Sequence, residues 1–298
     1  MRAILVTGGT GFIGRSLTRS LVNRDYTVTV LTRNASQVEG LDRVTFIQSL
    51  DQLADDATID VIINLAGEPL AASRWNDQRK RDFLDSRVSI TQAIGQLVER
   101  LDRKPNVLLS GSAIGWYGPH KDEPLNESSQ AVGCFSHDLC AAWEAEAKKM
   151  QQSGLRICLL RIGVVLGSEG GPLKELSRSH RLGVNAVFGD GSQYISWIHI
   201  DDMIGLITYL IVHDDLEGVV NCTAPNPVAQ RDFARTIAEY LQTWIMIMIP
   251  GWLLRLMVGE MADEVVITGQ RVLPAKALAA GYSYKYSDLK EALGDLLG

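Results

Sequence analysis

The sequence predicts an α/β protein: a parallel sheet wound with helices on both faces. Three observations predict it. Short apolar runs alternate with amphipathic helical stretches from residue 3 to residue 161, and joining such strands takes crossover connections that build parallel sheets. A glycine-rich turn lies between the first run and the first helical stretch. The chain has 298 residues, 46% hydrophobic and 21% charged, which is a globular balance rather than a disordered one. A chain of this length can bury a large core without disulfide or metal staples.

The elements follow in order. Ala3 to Val6 is an apolar run that stops near glycines, and it reads as a buried strand. Gly14 to Asn23 places Leu17, Leu21 and Val22 at helical spacing. Thr27 to Leu31 alternates β-branched residues and reads as the second strand. Val44 to Ile47 is the third, and Asp60 to Leu65 the fourth. Gln78 to Leu101 is a long amphipathic helix, Asn106 to Leu109 the fifth strand, Phe135 to Gln152 a helix, and Arg156 to Arg161 the sixth strand. After Gly167 the alternation weakens. Ser168 to Ser192 reads as a loop with one short helix. Trp197 to Val212 returns to strand and then helix; Asn226 to Gln242 is a helix, Trp244 to Ile249 a strand, Gly251 to Met261 a helix, and Ser287 to Leu297 the last helix. No linker rich in Pro, Gly or Ser separates the two regions, so the second is expected to pack directly on the first.

Charge narrows the partners. There are 29 Lys+Arg against 35 Asp+Glu, a formal net charge of -6 and a pI near 5.4. This argues against a general nucleic-acid or anionic-membrane binder, because phosphate affinity needs a basic surface. Cys140, Cys158 and Cys222 sit in apolar or helical surroundings and read as buried thiols; with Cys134 they form no C-x-x-C pair. The five histidines show no metal spacing, so no metal is expected. The run before the first glycines is too short for a signal-peptide core. Trp244 to Val258 is interrupted by Pro250, Gly251 and Arg255 and falls short of the roughly 20 residues of a spanning helix. The expectation is a soluble cytoplasmic protein.

The turn Thr7-Gly8-Gly9-Thr10-Gly11-Phe12-Ile13-Gly14 carries the chemistry. It satisfies G-x-G-x-x-G through Gly9, Gly11 and Gly14, and G-x-x-G-x-x-G through Gly8, Gly11 and Gly14. Gly8 permits the sharp exit from the strand, Gly11 lets a pyrophosphate approach the backbone, and Gly14 lets the helix pack close. The helix start then offers free N–H groups to phosphate. Placed between a strand and a helix, this is a dinucleotide site. At the end of the second strand, where a carboxylate would bind the ribose of NAD, stand Thr32 and Arg33. A guanidinium there pairs with a 2′-phosphate, so NADP(H) is expected over NAD. Small residues in Asn64-Leu65-Ala66-Gly67 let the backbone pass beside the adenine ribose and pyrophosphate. Arg87 on the next helix is a second positive group for the cofactor, with a surface ion pair as its alternative.

These residues resemble a family. The glycine motif, Asn64 to Gly67, and Ser110-Gly111-Ser112 at a strand end are similar to the extended short-chain dehydrogenase/reductases. Gly67-Glu68-Pro69, Arg74-Trp75, Ser86-Arg87, Trp116-Tyr117-Gly118, Trp143-Glu144 and Arg161 to Gly167 resemble one atypical branch, the NAD(P)-dependent epimerase family proteins. So do Trp197 to Asp202, Ala224 to Val228 and Gly269 to Pro274. The resemblance covers essentially the whole chain. It implies a Rossmann-type doubly wound sheet with a smaller C-terminal α/β substrate domain. The NADP-binding domain would be residues 1–167 plus 198–223, and the substrate domain 168–197 plus 224–298. It also implies that Thr32, Arg33, Leu65, Ala66, Gly67, Glu68, Arg87, Ser110 and Val165 line the cofactor, with Asp82 nearby. Glu68 could instead serve as a cap or a surface charge.

The wider family works with Tyr-x-x-x-Lys on one helix and a hydroxyl from the preceding strand. Tyrosine and lysine at i and i+4 share a face, and the ammonium lowers the phenol pKa for acid–base work. Ser112 takes the hydroxyl position, but Phe135 to Glu144 holds neither partner. Tyr117 to Lys121 matches the spacing with Gly118-Pro119 inside it, which rules out one helical turn. Tyr286 to Lys290 lies near the C-terminus, far from the cofactor strands. Ser112 and Tyr117 are therefore the catalytic candidates, and packing is the alternative role for Tyr117. His199, between Ile198 and Ile200, reads as structural, and Asp201 and Asp202 as the start of a helix. On the substrate side Tyr194, Trp197 and Arg271 suggest a partly aromatic cleft with an anion contact. Trp252, Met246, Met248, Met257 and Met261 read as interior filler.

Two functions fit. One is an NADP-dependent oxidoreductase or epimerase acting on a small carbonyl or hydroxyl compound. The other is a non-catalytic NADP(H)-binding sensor or regulator, motivated by the missing helix pair. Some relatives carry a cell-division label, which fits the second by analogy. The sequence supplies neither substrate nor oligomeric state.

Overall fold

The computed structural model describes residues 2–33, 43–70, 73–174, 184–243 and 245–298. The strands are β1 (Ala3–Thr7), β2 (Thr27–Leu31), β3 (Val44–Ile47), β4 (Val61–Asn64), β5 (Val107–Ala113), β6 (Pro124–Leu125), β7 (Arg156–Ile162), β8 (Val164–Leu166), β9 (Val184–Phe188), β10 (Tyr194–Ile195), β11 (Trp197–His199), β12 (Gly218–Cys222), β13 (Val228–Ala229), β14 (Ile245–Ile249) and β15 (Arg271–Val272). The helices are α1 (Phe12–Asn23), α2 (Asp77–Arg100), α3 (Phe135–Lys148), α4 (Ile200–Val212), α5 (Gln230–Leu241), α6 (Gly251–Val258), α7 (Ala275–Ala279) and α8 (Leu289–Leu297).

Seven strands form one sheet in the order β12-β7-β5-β4-β1-β2-β3, and every pairing in it is parallel. Strand alternation sends its apolar residues to two faces. Ile4, Val6, Val61 and Ile63 pack with Leu17 and Leu21 of α1 and with Met203, Ile207 and Leu210 of α4. Leu5, Ile62 and Leu108 pack on the other face with Ile94, Leu97 and Val98 of α2 and Ala147 of α3. The sheet is therefore doubly wound, as the alternation predicts. β1 lies between β4 and β2, so the strand order reverses beside it. In such sheets that is where ligands bind, at the carboxyl ends of the strands.

A third core joins Trp197, Phe233 and Ile237 to Tyr286, Leu289 and Leu293. It packs α5 and α8 over the β8–β11 pair. No helix of the described residues is long and apolar enough to cross a membrane.

Several elements depart from the pattern. β5 runs on to Ala113, because Ser110, Gly111 and Ser112 stay paired with β7. α3 stops at Lys148 and tightens into a 3₁₀ turn, closed by Gly154 at φ 80°. β12 has no periodic signal: it is five residues with a glycine and an asparagine, and its place comes from pairing with β7. Residues 184–188, expected as loop, form β9 alongside β14. α5 begins at Gln230 rather than Asn226. Pro227 disfavours helix in the residue before it, and Val228–Ala229 pairs with β10. α6 ends before Gly259, which sits at φ 68°. The short helix α7 carried no signal in the sequence, and Trp244 lies outside the described residues.

Candidate functional site

The expected cofactor residues gather at the carboxyl edge of the sheet, around the exits of β1, β2 and β4. Gly8 leaves β1 at φ 72°, and a β-carbon there would lie 2.6 Å from the Leu65 carbonyl. The turns after β1 and β4 are thus in backbone contact. A β-carbon on Gly14 would collide with the Gly8 carbonyl oxygen, so α1 can start this close only with glycine. Gly9 abuts Val30, while a β-carbon on Gly11 would meet only the Gly8 carbonyl oxygen, at 3.2 Å. Gly11 is the N-cap of α1, and no side chain caps that end. Thr10 occupies the turn between them. Phe12 lays its ring against Gly167, Gly170 and Gly171, and Ile13 packs on the core.

The turn after β4 is held from beneath. Thr7 Oγ1 donates to Asn64 Oδ1 at 2.6 Å, and Asn64 Nδ2 donates to Thr91 Oγ1 at 3.0 Å. Leu65, Ala66 and Gly67 follow, with Gly67 against the Arg87 side chain. Arg87 donates to the carbonyls of Phe83 and Glu68, both at 3.0 Å, and lies 5.2 Å from the Trp143 ring. Burial lowers its pKa. Thr32 is buried at the end of β2. Arg33 is exposed, with Nη1 3.6 Å from Glu68 Oε1. Glu68 therefore links the ends of β2 and β4. Ser110 is buried opposite Asn64, and Val165 is buried in β8 beside β11. Asp82 stays on its own helix, bonded to Gln78 at 2.9 Å and paired at 3.5 Å with Arg79, whose other nitrogen lies 3.9 Å from Glu68 in the turn after β4.

These residues fit a dinucleotide. The glycine turn is a cradle that β-carbons would fill, the helix start has uncapped N–H groups, and two arginines stand at the rim.

The catalytic candidates sit in a buried network. Ser112 Oγ donates to Glu144 Oε1 at 2.8 Å. Arg161 meets the same carboxylate twice, through Nε at 2.8 Å and Nη2 at 3.1 Å. Glu144 and Arg161 are both almost wholly buried, and the ion pair lets each charge stay in the interior. The guanidinium lies 3.4 Å over the Trp116 ring and 4.8 Å from that of Tyr117. Tyr117 is fully buried and donates to Asn221 Oδ1 at 2.7 Å; burial raises its pKa. Its hydroxyl is committed inside the core. Cys140 is also buried against Ser112 and Ala113, and desolvation pushes its thiol up to about 11. Cys140 and Glu144, four residues apart on α3, thus turn one face of that helix to Ser112.

The sequence reading missed the Glu144–Arg161 pair. Its one signal was an arginine inside the apolar run Ile157 to Ile162. His199 is structural, as expected, and it rather than Asp201 or Asp202 caps α4, accepting the Asp201 N–H at 3.1 Å. Asp202 accepts the backbone N–H groups of Lys285 and Tyr286. Trp197 is buried, and Arg271 lies 5.0 Å from the Tyr194 ring. Tyr286 packs beside His199 at 4.0 Å. Trp252, Met246, Met248 and Met257 are not interior filler: all four are exposed, and among the described residues no layer covers β14 and the outer side of α6. Met261 does pack inward, on Trp75, Phe83 and Leu139.

The model of the NAD dependent epimerase/dehydratase family matches residues 4–222, and a domain of unknown function, DUF1731, matches residues 249–296. Epimerase family protein SERP0438 of Staphylococcus epidermidis is 36% identical, over 100% of this chain and 99% of its own. The human epimerase family protein SDR39U1 (isoform 2), solved with NADPH, is 30% identical with a TM-score of 0.90, over 99% of both chains. A nucleoside-diphosphate sugar epimerase from Corynebacterium glutamicum is 29% identical with a TM-score of 0.80, over 100% of this chain and 58% of its own.

Proposed function

The chain belongs to the NAD dependent epimerase/dehydratase family, and on that premise we propose that it binds NADP(H) at the carboxyl edge of the sheet and acts on a small carbonyl or hydroxyl compound. The observation that carries this reading is the glycine cradle at the point where strand order reverses, with Arg33 rather than a carboxylate at the end of β2. The NADPH in the human relative's structure supports the choice of cofactor. Gly8 to Gly14 would hold the pyrophosphate, Arg33 the 2′-phosphate, and Leu65 to Glu68 with Arg87 the inner wall. The nicotinamide, when bound, supplies or accepts a hydride.

The protein's own groups orient the substrate oxygen. With its proton on Glu144, the Ser112 oxygen would accept from a substrate hydroxyl; toward a carbonyl oxygen the same hydroxyl would turn from Glu144 and donate. Arg161 fixes Glu144 and prevents that carboxylate from turning away. Residues 168–197 and 224–298 would close over the substrate as a second domain.

A sensor that binds NADP(H) without turnover is the second reading. The observation favouring it is the buried thiol and carboxylate of Cys140 and Glu144 where an acid–base pair would stand.

Titration with both cofactors and a panel of carbonyl compounds tests the proposal. NADPH should bind more tightly than NADH, and Arg33→Ala should weaken NADPH by about tenfold while leaving NADH alone, as loss of one charge-assisted contact does. NADPH consumption on some member of the panel, abolished by Ser112→Ala, supports the enzyme. Tight binding with no turnover on any member would replace it with the sensor.

A further inference from the structure

Among the described residues nothing is laid over the outer strand of the β9–β14 pair. Ile245, Met246, Ile247 and Met248 of β14 are 41–67% exposed, as are Trp252, Leu256 and Met257 of α6 and Val265 just beyond it. Successive strand residues point to opposite faces, so a strand exposed at four consecutive residues is uncovered on both. Among the described residues β14 pairs with β9 alone, and its second edge is open. A two-stranded ribbon is marginal by itself, and an uncharged apolar edge invites another strand.

We propose that β14 and α6 form the interface of a two-fold symmetric dimer, with β14 pairing antiparallel to its copy about Ile247. The sequence of β14, Ile-Met-Ile-Met-Ile, reads the same in both directions. An antiparallel two-fold centred on Ile247 sets Ile245 against the partner's Ile249, Met246 against the partner's Met248, and Ile247 against the partner's Ile247. The two-fold makes each of these contacts reciprocal, as in any isologous interface, and here every cross-strand pair joins apolar with apolar. The pairing turns two marginal ribbons into one four-stranded sheet.

Charge and area agree with a second copy as the occupant. Residues 244–254 hold no ionisable side chain. Arg255 is neutralised within its own chain by Asp263, at 3.0 Å from Nε and 2.9 Å from Nη2. Two copies therefore meet without unpaired like charges. The eight exposed apolar side chains present roughly 1,000 Å², above the about 800 Å² that one partner gives to a standard interface and well beyond the usual patch on a monomer. An anionic lipid surface would instead call for lysines and arginines around the patch.

Light scattering of the full chain should give twice the 32.7 kDa mass of one chain. Ile247→Lys should halve that mass while circular dichroism and NADPH binding stay unchanged. As a second route, Ile247→Cys in a Cys134→Ser background should form a covalent dimer on mild oxidation, because the two-fold sets residue 247 against itself. Asp56→Cys, an exposed residue far from β14 in sequence, should not. A wild-type monomer at high micromolar concentration would overturn the proposal, and so would a dimer that Ile247→Lys leaves intact. Cross-linking no greater than the Asp56→Cys control, or a monomer that binds neutral vesicles through this patch, would do the same.

Discussion

Glu144 receives Ser112 and two nitrogens of Arg161 on one carboxylate, deep in the fold. Arg161 Nη1 has no hydrogen-bond partner of its own, so this carboxylate is its principal counter-charge. Removing one member of a buried ion pair strands the other charge, which costs about 3–5 kcal/mol. Glu144→Gln should therefore destabilise the protein by about 3 kcal/mol or more, measured by urea unfolding, whereas Lys148→Gln on the exposed side of the same carboxylate should change little. The pair was hard to read from the sequence because its partners lie 17 residues apart, on a helix and on a strand. Only the β5–β7 register, which sets Ser112 opposite Arg161, brings them together. The glycine turn was legible for the opposite reason: a local backbone constraint leaves a local residue signature.

Among the elements, α4 shows how a helix start acquires a pH dependence. His199 Nδ1 accepts the Asp201 N–H, so the capping ring is neutral and carries its proton on Nε2. Nε2 lies 3.4 Å from Asp295 Oδ2 but makes no hydrogen bond. Asp201, Asp202 and Asp295 favour the charged ring, Lys285 opposes it, and burial outweighs them to lower the pKa. In the unfolded chain the same ring titrates near about 6.5. Below that pH the unfolded state takes up a proton that the folded state refuses, so this stability is present above about pH 6.5 and is lost as pH falls toward the folded pKa. The melting temperature should drop between pH 7 and 5.5, and the drop should shrink in His199→Asn, which keeps a capping side chain without the titration. The long, strongly periodic elements α2 and β1 to β4 were legible in the sequence. β12, α7 and β9 were not, because their pairing and packing come from residues distant in the chain.

For the whole molecule, a cofactor that binds only the folded chain stabilises it by mass action, about 2.7 kcal/mol at a hundredfold excess over the dissociation constant. NADPH should therefore raise the melting temperature by roughly 4 °C in a chain of this size. NADH at the same concentration should raise it less, and scanning calorimetry with each cofactor checks both. The doubly wound core was legible because both faces of the sheet are apolar along the same strands. The exposed surface of β14 and α6 was not, since an apolar run reads alike whether it meets the interior or another chain.

The position of β12 also bears on how the chain is made. The edge strand of the sheet is supplied by Gly218–Cys222, whereas its neighbour β7 ends at Ile162. A ribosome adding about 5–20 residues per second leaves the outer edge of β7 bare for several seconds while the intervening segment is synthesised. Cys158 and Leu160, wholly or almost wholly buried in the finished fold, are then uncovered until β12 and α4 arrive. A nascent chain stalled after β7 has left the ribosome but before β12 is made would present an unpaired apolar strand to its neighbours, so steady elongation through residue 222 limits that exposure.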